Sequence, residues 1–74
     1  MAHYLAVIEP QEGSFSAYFP DLPGCVATGT TRDELEENIR AALQRHLEGL
    51  IQDDQPIPES RAFAEFVMVV PSHT

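Results

Sequence analysis

Seventy-four residues carry twelve Asp and Glu against four Lys and Arg, a formal net charge of −8. That balance opposes binding to a phosphate backbone, where affinity comes from cations displacing counterions; it suits a basic partner, and equally serves only to keep a small domain soluble. The length admits one domain, residues 1–74, burying about 60% of its unfolded surface around a core that supplies roughly 3–5 kcal/mol.

In chain order, residues 3–9 (HYLAVIE) read as a strand rich in Tyr, Val and Ile, apolar on both faces. Pro10-Gln11-Glu12-Gly13 is a polar turn, so residues 14–19 (SFSAYF) return as a hairpin partner, with Phe15, Ala17 and Phe19 on one face. Pro20 and Pro23 then brace a tight reversal in which Gly24 takes the positive φ that follows Pro in a type II turn. A short strand, residues 25–28, leads to a helix over residues 32–51. Thr31 is its N-cap and Glu34 completes a capping box. Leu35, Ile39, Ala42, Leu43, His46, Leu47, Leu50 and Ile51 form the helix's apolar stripe, Glu36 and Arg40 an i,i+4 pair. Gly49 is its weak point, loosening the last turn or admitting a strand close by. Asp53-Asp54-Gln55-Pro56 ends the helix and Pro58 prevents a restart.

Residues 63–70 (FAEFVMVV) read as a last strand, with Phe63, Val67 and Val69 on one face and Ala64, Phe66, Met68 and Val70 on the other. The expected fold is α+β in the order β-β-β-α-β, one helix on a small, mainly antiparallel sheet. One helix covers one sheet face only, and the first and last strands are too apolar on both sides for water. A homodimer or higher symmetric oligomer follows, with Phe66, Val67, Met68, Val69 and Val70 as its interface.

Other stabilising devices are scarce. Cys25 is the sole cysteine and closes no disulfide within one chain, while His3, His46 and His73 are too scattered for a structural zinc. Cys25 reads as a small buried apolar residue and His46 as a core or interface histidine. Serines lack a nucleophile elbow, and the carboxylates form a solvated pattern instead of a two-metal cluster, so the chain is expected to be no enzyme and to need no cofactor. The first ten residues show no signal peptide, and no run approaches the ~20 apolar residues of a membrane span. With one unpaired thiol, the expected location is the cytoplasm.

The run Phe19-Pro20-Asp21-Leu22-Pro23-Gly24-Cys25, the following Ala27-Thr28-Gly29, the capped helix and the exit Pro56-Ile57-Pro58-Glu59 together resemble the HicB family of antitoxins. The resemblance spans the whole chain and implies a partial RNase H-like arrangement that binds and silences a small basic mRNA ribonuclease, HicA. Many members carry a helix-turn-helix or ribbon-helix-helix segment after this domain. The chain is similar to a short form without it, and no direct nucleic-acid binding is expected. Such an antitoxin needs a complementary surface and no reactive group. Tyr18, Phe19, Asp21, Leu22, Glu36 and Glu37 are the candidate contacts. Four have a plainer reading: Phe19 as core, Asp21 as an Asx cap on its own turn, Glu36 and Glu37 as a solvated helix face. The alternative function is a stand-alone oligomeric α+β domain that binds another protein or a small ligand.

Overall fold

The computed structural model describes residues 3–72. Strands β1 (Val7–Gln11), β2 (Ser14–Tyr18) and β3 (Val26–Gly29) precede one helix, α1 (Arg32–Gln52). They form an antiparallel sheet in the order β1-β2-β3. Val7 faces Tyr18 and Gln11 faces Ser14 across the first pair; Phe15 faces Gly29 and Tyr18 faces Val26 across the second. The fold is α+β, as the sequence implies. β1 starts at Val7 and not at His3, because its partner leaves the ladder after Tyr18 at the Pro20 reversal. Tyr4 and Ala6 pack on the core instead.

Alternation along β2 places Ala17 and Phe19 towards the helix, both buried. Phe19, Leu22 and Cys25 form the core cluster, and Ile39, Ala42, Leu43 and Leu47 of α1 close over it. Leu22 and Leu35 are fully buried. The helix lies over β3 and, less extensively, β2, and it does not reach β1. Ile8, on the helix side of β1 opposite Ala17, stays 37% exposed for that reason.

At the helix start, Thr31 Oγ1 accepts the Glu34 N–H at 3.1 Å. The Glu34 carboxylate accepts from the N–H of Thr30 at 2.9 Å, one residue earlier than the expected capping box. The expected Glu36–Arg40 pair is not closed. Among the described residues the ion pair is Arg61–Glu59, at 3.1 Å and largely in water, where it contributes little.

The helix ends in a Schellman motif: Asp54 N–H donates to Ile51 C=O at 3.1 Å, and Gln55 N–H to Leu50 C=O at 2.8 Å. Asp54 occupies the left-handed position at φ 54°, where glycine is usual. Two carboxylates, Asp53 and Asp54, thus sit at the negative end of the helix dipole, with no basic residue in the last turn.

Residues 63–70 form no strand, which corrects the expected fifth element. Their composition fits a pleated, half-buried surface, but the segment pairs with neither free edge of its own sheet. Their large apolar side chains, Phe63 and Phe66 to Val70, are 73–106% exposed. The radius of gyration is 15.6 Å and the longest dimension 58 Å, against about 11 Å expected for the radius of a compact chain of this length. The C-terminal segment runs away from the body.

Two glycines respond oppositely to a methyl group. A Cβ on buried Gly29 would lie 2.6 Å from Leu35 N and 2.8 Å from Leu35 Cα, both backbone atoms, whereas one on Gly49 meets nothing within 4 Å. Among the described residues no strand approaches Gly49, and the helix continues through it. In chemical denaturation, Gly29→Ala is expected to destabilise by about 1–3 kcal/mol through overpacking, while Gly49→Ala stabilises by up to ~1 kcal/mol. Asp54→Gly should stabilise by about 1 kcal/mol, since it removes both the left-handed strain and an unfavourable charge.

Candidate functional site

The reversal between β2 and β3 positions most of the candidate residues. Leu22 N–H donates to Phe19 C=O at 3.0 Å and Cys25 N–H to Leu22 C=O at 3.0 Å, two consecutive β-turns with Pro20 and Pro23 at their second positions. Gly24 sits at φ 86°, as the type II turn requires. Folding twice on itself, the loop points Phe19 and Leu22 inward. Both are core residues and present no side chain to a partner.

Asp21 points the other way and is already engaged. Its Oδ2 accepts the backbone N–H groups of Arg61 and Ala62, each at 2.8 Å. No Asx cap on its own turn forms; the carboxylate instead holds a segment forty residues downstream. Close by in the chain, the Tyr4 hydroxyl donates to Pro58 C=O at 2.6 Å. These bonds clasp the helix exit to the loop end of the sheet. Sequence reasoning missed the clasp, since neither residue carries a local signal of a distant partner.

Tyr18 lies on the sheet face away from the helix, between Val7 and Val26 in one cross-strand row. Tyr18 and Val26 are exposed, Val26 by 62%. The row ends an otherwise polar face of Glu9, Ser16 and Thr28. Two-residue alternation through the register is the signal that picks out Val7 and Val26 beside Tyr18. Glu36 and Glu37 are exposed on α1, so the structure does not bring them onto one face with Tyr18. Phe66, Val67, Met68, Val69 and Val70 are all exposed on the departing segment.

A shallow groove between β3 and α1 is lined by Cys25, Val26, Ala42, Arg45 and His46. Burial pushes the Cys25 thiol up, with the Arg45 charge opposing weakly, so the thiol stays protonated at neutral pH. Such a cysteine is a core group and a poor nucleophile. Among the described residues no three His, Cys, Asp or Glu side chains converge on a cation site, and no helix is long and apolar enough to cross a membrane. His73 lies outside the described residues.

Comparison with known proteins places these features in a family. The family described as HicB-like antitoxin of bacterial toxin-antitoxin system matches residues 4–71. A protein of Haemophilus phage HP1, described as an uncharacterized 14.9 kDa protein in the rep-hol intergenic region, is 31% identical over 64 residues, covering 86% of this chain and 48% of its own. The chain thus spans about half the length of that relative. A UPF0150 protein of Synechocystis sp. is 34% identical over 58 residues, 77% of this chain and 73% of the relative. A UPF0150 protein of Helicobacter pylori is 39% identical over 49 residues, 66% and 68% of the two chains.

Asp21→Ala removes the acceptor for two charge-assisted hydrogen bonds, each worth about 1.5–3 kcal/mol when intact and shielded, less where water competes. The expected result is faster amide exchange at Arg61 and Ala62 with unchanged protection in α1. Unchanged exchange at those two amides would show that the clasp carries no weight.

Proposed function

The chain belongs to the HicB-like antitoxin family, and on that premise we propose that it is a binding module that sequesters and inhibits a small, basic, HicA-like mRNA ribonuclease. The family suggests a regulatory module without chemistry of its own. The observation that carries the reading is the match across residues 4–71 in a chain of net charge −8. A ribonuclease must present cations to RNA, and an acidic surface competes for them. Inhibition then requires occlusion alone.

Among the candidate contacts, Glu36 and Glu37 are free to steer a basic partner, and Tyr18 with Val7 and Val26 offers an apolar row to hold it. Phe19 and Leu22 support the Tyr18 row from within by fixing the reversal beside it, and Asp21 ties that reversal to residues 61–62. The assembly is a homodimer or higher symmetric oligomer with residues 66–70 at its interface. A partner that acts on mRNA supports a cytoplasmic location. With all four of its cationic side chains being arginines set among twelve acids, the chain alone binds no DNA, and any promoter contact comes through a partner.

Co-expression with a small, basic, HicA-like ribonuclease is the test, scored by growth, co-purification and RNA cleavage. Glu36→Gln with Glu37→Gln should slow association several-fold and flatten its ionic-strength dependence, whereas Tyr18→Ala should mainly speed dissociation. A toxin fully active in the presence of excess protein would end the antitoxin reading in favour of a stand-alone oligomeric domain that binds another protein or a small ligand. Tight, salt-sensitive binding of promoter DNA by the purified chain would overturn the claim about nucleic acid.

A further inference from the structure

Each copy carries an unpaired strand-like segment and an unpaired sheet edge that do not meet. Among the described residues, the backbone of residues 63–70 makes no hydrogen bond within the chain. Its departure point is fixed, because Asp21 holds Arg61 and Ala62 immediately before it.

The free edges of the sheet are β1 and β3, and they are not equivalent. Gln11 and Ser14 close a two-residue hairpin, so backbone groups along β1 alternate from there. Ile8 turns its N–H and C=O outward, and Pro10 at the far end offers no N–H. On β3 the corresponding outward carbonyl, Thr28, already accepts from Asn38 Nδ2 at 2.7 Å, and α1 lies over that strand. The β1 edge is therefore the receptive one.

We propose that residues 63–70 of each copy add as a fourth strand along the β1 edge of a second copy, in a reciprocal two-fold exchange. This rests on the homo-oligomer proposed above and specifies how it closes. A second copy is the fitting occupant because donor strand and acceptor edge are present on every chain, so one two-fold pairing satisfies both and leaves neither free. Charge agrees. Two chains of net charge −8 repel, yet residues 62–72 contain one acid, Glu65, and residues 3–11 one, Glu9, so the copies meet where their charge is least.

The faces match as well. The helix side of β1 is left uncovered at Ile8, 37% exposed, and it receives the uninterrupted apolar face of Ala64, Phe66, Met68 and Val70. The face that carries Glu65 then lies on the outer, more polar side beside Val7 and Glu9.

Sedimentation of the full chain should give twice the 8.2 kDa mass of one copy. A monomer at high micromolar concentration would remove the oligomer itself, and the exchange with it. Ile8→Pro deletes an N–H that faces away from β2 and should yield a monomer with α1 intact by circular dichroism. Thr28→Pro alters the β3 edge and should leave the dimer in place. Val67→Pro should also be monomeric, and mixing it with Ile8→Pro should restore a dimer held by one exchange. A dimer that survives folded Ile8→Pro would overturn the β1 site while leaving oligomerisation standing. Since the proline can disturb the hairpin, a second readout uses Ile8→Cys with Met68→Cys in a Cys25→Ala background. Interchain disulfides under mild oxidation support the exchange, and their absence in a folded dimer overturns it.

Discussion

Between β2 and β3 the chain reverses twice within seven residues, and nearly everything else in the structure is arranged around that fold-back. It drives Phe19, Leu22 and Cys25 beneath the helix, where Ile39, Ala42, Leu43 and Leu47 settle on them. It also turns Asp21 outward to grip the backbone of Arg61 and Ala62. Pro20, Pro23 and Gly24 reduce the backbone freedom of this loop before any packing occurs. The core and the C-terminal anchor thus share one pre-shaped origin.

Much of this was legible from residue type. Pro23-Gly24 announced its turn, because only a narrow set of dihedrals suits that pair. The helix was legible from its apolar period and from Thr31 and Glu34, whose side chains can satisfy amides only at a helix start. What escaped has a common cause, a partner remote in sequence. Nothing local marks Asp21 or Tyr4 as holding the exit, 40 and 54 residues away. The terminal segment shows the same gap. Its composition states that residues 63–70 belong in a sheet and is silent on which chain supplies it. Among the site residues, Phe19 and Leu22 were named for their neighbourhood, and burial assigns them to the core.

The molecule separates its charge from its exposed apolar surface. Acids cluster on the helix and at its end, while the departing segment holds Glu65 alone among six large apolar side chains. Burying those six represents on the order of 10 kcal/mol at roughly 1.5–3 kcal/mol each, before the entropy of ordering the segment is subtracted. Glu36, Glu37 and the Tyr18 row are left free of that demand.

The clasp also has a kinetic meaning. The hairpin, the reversal and the helix join residues close in sequence, which makes them fast to assemble. The Tyr4–Pro58 and Asp21–Ala62 bonds instead close loops of 54 and 41 residues, and loop-closure entropy defers such contacts. They complete after the body and, resting on a few hydrogen bonds at a partly solvated surface, open before it. During that interval the body is folded while everything beyond Gln55 swings as a tethered arm, with a reach set by the helix end and not by the sheet.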